Sequence, residues 1–330
     1  MNSCLEDSER KGITMNLINS SFSFEPAPWI PFKDKEVLER VRSIKREEME
    51  KHNNPDFKIR IVSDVVSLWV ADMILRIRES DEQDKKLVMI MPNPCPGVYE
   101  TVAEIINRFR INCRNVYTFN MDEWADQDGN VAPESYPAGF AHSFVKYFYG
   151  KIDPALRMKR ENCCAPTTEN IRDYSKLITE CGSGGADICY SGPGWTGHIA
   201  FVEPDAPELA CSSVEEFLKL DARIVTLHPL TLAQNSLHGV FGCSGDIANV
   251  PPKAATIGPA DVVRSRNRFE THALTTMGTV SSWQRMISRL VLYGPVTPKV
   301  PSSILQLLPT TVYVSEAIAK EFECWETVGY

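Results

Sequence analysis

The feature that most restricts this chain is an alternation of short apolar runs with amphipathic segments of helical length. LVMIM at 87–91 is the clearest run. It has no polar residue on either face, so as a strand it must be covered on both sides, as a parallel strand between helical layers is. NVYTF at 115–119, GADICY at 185–190 and the shorter KIRIV at 58–62 repeat the pattern. Between and around them, SDVVSLWVADMILRIRES, VYETVAEIINRFR, SYPAGFAHSFVKYFYG and TENIRDYSKLITE read as helices, with Ser63 expected to cap the first. Strand, helix, strand at this spacing predicts an α/β fold, a doubly wound and mainly parallel sheet flanked by helices. Residues 58–330 are read as one such domain, without repeats, low-complexity tracts or linkers. Residues 1–57 are read as an N-terminal extension with a single helix over 34–51. That helix puts Val37, Leu38, Val41 and Ile44 on one face, to pack on the main domain or on a neighbouring subunit.

Hydrophobic residues make up 43% and charged residues 24% of the 330, enough apolar material for a sizeable core. The net charge of −8 argues against a nucleic-acid partner, which needs concentrated lysine and arginine. No stretch approaches the roughly 20 apolar residues of a membrane span, so no membrane partner is expected. The first twenty residues carry charges where a signal peptide has its apolar region. Ten cysteines occur without a CxxC, which points to reduced thiols and a cytoplasmic location, with Cys189 a buried structural thiol.

In such a sheet, ligands sit beyond the carboxyl ends of the strands, where strand order reverses. Three loops qualify: MPNPCPG (91–97), NMDEWADQDGN (120–130) and SGPGWTGH (191–198). The first offers Asn93, Pro94 and Gly97 to a ligand. In the second, Asp122 and Glu123 are adjacent in an extended segment and point opposite ways, so that one acid faces the crevice and the other holds the loop. The third brings Gly194, Trp195, Thr196 and Gly197 around His198, and its glycines let backbone approach a ligand closely. His198 with Glu203 forms a candidate acid/base pair in which the carboxylate fixes the imidazole tautomer. For Asp122 a loop cap, and for His198 a structural histidine, are the alternatives.

These segments resemble the glucosamine-6-phosphate deaminase/isomerase family. VYTFNMDEW followed by PESY at 133–136 is similar to that family's TFNMDEY and PESY, and GPGWTGHIAFVEP at 192–204 is similar to its G-x-G-x-D-G-H-I-A-F-N-E-P. RIVTLHPLTLAQNS at 223–236 and NVPPKAATIG at 249–258 extend the likeness, which covers roughly Lys58 to Ser315. The resemblance implies aldose–ketose isomerisation of an amino sugar or related hexose, coupled in the deaminases to loss of ammonia. It implies Asp122 as the proton-transfer residue, His198 as the group that opens the ring and Glu203 as the carboxylate that orients it. It implies no metal and no cofactor, a small-molecule sugar or sugar phosphate as partner, and a homo-oligomer.

The departures concern phosphate. Pro94 and Pro96 each remove a backbone donor from the first loop. Leu237 stands for the family's lid arginine, Ser281 for its phosphate-binding lysine, Thr196 for an aspartate beside the histidine, and Val225 for an allosteric lysine. Losing charged contacts of about 1.5–3 kcal/mol each weakens phosphate binding by orders of magnitude. Arg264, Arg266 and Arg268, which share one face if extended, Asn93, and His238 are the candidate substitutes. Two alternatives to the enzyme stay open: a catalytically silent sugar-binding or regulatory protein, and a sugar-lactone hydrolase, against which the TFNMDEW segment counts.

Overall fold

The computed structural model describes residues 24–92, 95–276 and 279–322. Along the chain, α1 (Lys35–Arg42) precedes β1 (Phe57–Val62), α2 (Val65–Glu82), β2 (Leu87–Met91), α3 (Pro96–Phe109) and β3 (Val116–Asn120). Then come β4 (Asp122–Ala125), α4 (Phe140–Tyr147), β5 (Cys163–Cys164), α5 (Tyr174–Cys181) and β6 (Ile188–Ser191). The second half holds α6 (Val214–Phe217), β7 (Arg223–Thr226), α7 (Pro229–Ser236), β8 (Lys253–Thr256), α8 (Pro259–Arg264) and β9 (Asn267–His272). The two-residue strands β10 (Thr275–Thr276) and β11 (Thr279–Val280), then α9 (Trp283–Tyr293), β12 (Thr310–Ser315) and α10 (Glu316–Ala319) complete it.

Seven strands form one sheet in the order β1-β12-β9-β6-β2-β3-β5, every neighbouring pair parallel. All five residues of β2 are buried, as an apolar run at the centre of a covered sheet requires. Val88 and Ile90 join the core on one face, while Leu87, Met89 and Met91 join the core on the other, the two-residue period of a strand. Order reverses about β2: β3 and β5 lie on one side, and the chain returns to lay β6, β9 and β12 on the other. Antiparallel β4, β8 and β7 form a smaller sheet that begins two residues after β3 ends. No described helix is long and apolar enough to cross a membrane.

Three local expectations need correction. The helix expected over 34–51 ends at Arg42, and a 3-10 turn follows at Arg46–Glu48. The chain leaves the helical path because Met49 is fully buried in the main core and its carbonyl accepts from the Tyr293 hydroxyl. The apolar face itself is as read: Val37, Leu38, Val41 and Ile44 pack with Leu290 and Val291 of α9, on this chain's own fold. The Arg40 guanidinium donates to Tyr293 O, and Arg46 pairs with Glu316 at 2.6 Å, tying the extension down further. The cap of α2 is Asp64 instead of Ser63, its Oδ1 accepting from Ser67 N at 3.0 Å, where a carboxylate also meets the positive helix end. Arg264, Arg266 and Arg268 do not share one face of a strand, because Arg264 closes α8 and only Arg268 lies in β9.

Candidate functional site

The loops after β2, β3 and β6 leave three adjacent strands at their carboxyl ends, at the point where strand order reverses. Asp122 and Glu123 open β4 directly after β3, and their side chains go to different places as their extended backbone demands. Glu123 is fully buried and accepts from the amides of Trp124, Phe140 and Ala141 at 2.7–3.0 Å, so it caps the start of α4. Burial lifts its carboxyl to about 7 against the pull of those three donors. With its oxygens committed to α4, Glu123 holds the loop instead of reaching a ligand. Asp122 is 4% exposed, and its Oδ1 is buried without a hydrogen-bond partner. Burial, reinforced by the neighbouring Glu123, holds the Asp122 carboxyl well above the usual carboxylate range. Tyr99 and Tyr174 lie within electrostatic reach of it, but their hydroxyls donate to Pro92 O and Asn120 O.

His198 sits in the loop after β6. Thr196 donates its single hydroxyl proton to Glu203 Oε2 at 2.9 Å, leaving its oxygen to accept from His198 Nδ1 at 3.1 Å. Glu203 Oε2 itself stands 3.4 Å from Nδ1, and Thr231 Oγ1 of α7 stands at 3.2 Å. This network assigns the imidazole proton to Nδ1 and leaves the Nε2 lone pair bare. Thr196 therefore keeps the histidine linked to a carboxylate, through a hydroxyl. Gly194 has no side chain where one is impossible: a Cβ there would meet His198 Nε2 at 1.8 Å. Gly197, at φ +79°, closes the turn by donating its amide to Gly194 O at 2.9 Å. Ser302 braces the loop from outside, its hydroxyl on His198 O and its amide on Gly197 O, both at 2.8 Å.

The two groups are linked by short steps. Asp122 pairs in register with Thr256 of β8, the Thr256 hydroxyl accepts from Phe201 N at 3.0 Å, and the Phe201 ring meets the His198 ring edge-on at 5.9 Å. Gly97 lies in the first turn of α3 with open space where its side chain would be. Asn93 and Pro94 lie outside the described residues. Cys95 beside them is no nucleophile, since burial pushes its thiol to about 12. Trp195 donates its amide to Gln234 Oε1 of α7 at 2.7 Å and stacks its ring on Trp283 of α9, 5.5 Å between centroids and 10° from parallel.

The proposed cation substitutes fail on contact with their surroundings. Arg264 pairs with Asp221, Arg266 with Asp187 and three carbonyls, and Arg268 gives its guanidinium to the carbonyls of Val262, Val263, Ser265 and Pro309. The latter two lie at the amino end of β9, away from the loops. Burial, and then the nearby His198, pulls His238 down to about 4, so it is neutral near pH 7. Leu237 caps α7 half in solvent, and Val225 is fully buried in β7.

One cluster escaped the sequence. Glu270 and His272, two residues apart in β9, are fully buried, with Ser191 donating to Glu270 and His272 Nδ1 2.8 Å from Ser288 of α9. The only signal was a pair of ionisable residues two apart in a strand, and it reads equally as a solvated edge.

No protein-family model matches the chain. It is 32% identical over 196 residues to the glucosamine-6-phosphate deaminase of Caenorhabditis elegans, covering 59% of this chain and 66% of the relative. To the enzyme of that name from Halothermothrix orenii it is 30% identical over 218 residues, 66% of this chain and 79% of the relative. Among solved structures, a monomeric glucosamine-6-phosphate deaminase superposes with a TM-score of 0.63 at 22% identity, over 79% of this chain and 98% of that one. A 6-phosphogluconolactonase from Trypanosoma cruzi superposes with a TM-score of 0.56 at 12% identity, over 83% and 100%. At such identities the structural likenesses establish the α/β fold, and the fold alone does not separate deaminase from lactonase chemistry.

Proposed function

The chain belongs to the glucosamine-6-phosphate deaminase family, and on that premise we propose that it is an aldose–ketose isomerase acting on an amino sugar, with the nitrogen released as ammonia. The observation that carries the reading is the Asp122 carboxyl, buried with one oxygen unpartnered at the same sheet edge as an imidazole whose Nε2 is bare.

The chemistry follows from those two groups. His198 Nε2 takes the proton of the anomeric hydroxyl and returns it to the ring oxygen, opening the pyranose to the aldehyde. Glu203, through Thr196, stabilises the imidazolium in between. The Asp122 carboxylate removes the C2 proton to give an enolamine and returns a proton to C1. The imine left at C2 adds water and expels ammonia, so amino sugar plus water gives ketose plus ammonia. A carboxylate lifted by burial is the stronger base for this step. The proposal extends to a cytoplasmic enzyme, on the cysteine pattern, and to a homo-oligomer, as the family resemblance implies.

Asp122→Asn keeps the shape and removes the base. Turnover of any sugar the wild type converts is expected to fall by about three orders of magnitude or more, with the melting temperature unchanged or raised. The wild-type kcat/KM is expected to drop on the acid side at a pH above the ordinary carboxylate range, because a raised carboxyl pKa keeps the base protonated there. Normal turnover in D122N would end the assignment.

A further inference from the structure

Five segments contribute described residues to the carboxyl edge around His198 and Asp122: 91–92 with 95–97, 120–123, 191–204, 227–242, and 273–276 with 279–284. The last two are joined to the glycine loop by Thr231 on His198, by Gln234 on the Trp195 amide, and by Gln284, which accepts from Leu274 N and donates to Pro193 O. Together their described residues hold Asp122, Glu123 and Glu203, and no lysine or arginine. Arg285, just past the last, gives its Nε–H to Ala317 O. Of the other histidines here, His228 has both ring nitrogens engaged, Nδ1 by Leu230 N and Nε2 by Trp29 O, and His238 is kept neutral by burial. A doubly charged phosphate placed here meets acids and no counter-charge, whereas an ammonium group is welcomed.

What the glycine loop offers instead is a stacked aromatic pair. Trp195 and Trp283 are half-buried and stacked, one following the glycine that makes room for His198 Nε2, the other opening α9. Gln234 holds the Trp195 amide, and Gln284, next to Trp283, donates to Pro193 O in the glycine loop, so the two rings are positioned before any ligand arrives. A pyranose presents patches of C–H on its faces, and an aromatic ring covers these by apolar burial and dispersion without needing charge.

We propose that Trp195 and Trp283 are specificity-determining residues that select an amino sugar whose C6 end carries no phosphate. This rests on the sugar reading above and narrows its substrate class.

The test is calorimetry of the full chain with glucosamine and with glucosamine 6-phosphate, run beside turnover assays on both. Glucosamine is expected to bind at least about tenfold more tightly than its 6-phosphate. Trp283→Ala is expected to lose about tenfold for glucosamine, and Trp283→Phe to stay within about threefold of wild type, both with wild-type melting temperatures. Equal or tighter binding of the phosphate ester, no binding of glucosamine, or an unaltered affinity in a folded W283A protein would each overturn the inference. The two ideas separate cleanly. Preferred binding of glucosamine without turnover of either sugar sinks the isomerase and leaves the selection by the tryptophan pair standing, whereas preferred turnover of the phosphate ester does the reverse.

Discussion

At position 194 a hydrogen atom decides whether the imidazole of His198 stays where its three oxygen partners hold it. Thr196, Thr231 and Glu203 all converge on Nδ1 within 3.4 Å, so the ring has no free direction in which to yield. A methyl group at 194 would stand 1.8 Å from Nε2, far inside contact distance. Gly194→Ala is therefore expected to cut kcat/KM by at least about a hundredfold while the protein still folds cooperatively, since misplacing a reacting group by an ångström has costs of that order. Steady-state kinetics beside a thermal melt checks this, and near-normal activity in a folded G194A protein would mean that Nε2 is not in use. The histidine, its glycine and its carboxylate were legible because they lie within ten residues of one another. The Thr231 contact was not, for it arrives from 33 residues downstream.

Among the elements, α4 shows how one buried acid organises the site. Its first two amides, with that of Trp124, end on Glu123, placing β4 and so Asp122 relative to the helix. Glu123→Ala leaves these amides without an acceptor and is expected to destabilise the fold by roughly 2–5 kcal/mol, read from urea unfolding. The sign of its pH dependence follows from burial. Because the folded carboxyl is raised to about 7 from an ordinary 4.5, its contribution is full below the ordinary value and fades as pH climbs towards 7. Wild-type stability is expected to decline over that interval and the E123A protein to lose this slope; parallel slopes would contradict the assignment. The alternation of β2, α3 and β3 was readable because the strands are uninterrupted apolar runs. β9 was not, since NRFETH alternates like a solvated edge yet lies between β6 and β12. It is tolerated there because Arg268 satisfies four backbone carbonyls, and Glu270 and His272 find Ser191 and Ser288.

For the whole molecule, one reversal of strand order does most of the assembly. By laying β3 and β6 on either side of β2, it brings loops some seventy residues apart in sequence to a single edge, and the small sheet of β4, β8 and β7 carries Asp122 beside it. The extension behaves as part of the same body, with Val41 fully buried against α9. In the proposed reaction a proton leaves C2 and returns to C1 by way of the Asp122 carboxyl, which exchanges with water. The most direct measurement is turnover of the amino sugar in D2O, with the ketose analysed by NMR. One deuterium at C1, on one face only, is expected in the wild-type product, with ketose formation by D122N slower by about three orders of magnitude or more. Ketose formed without deuterium, or labelled ketose formed at the wild-type rate by D122N, would contradict this route.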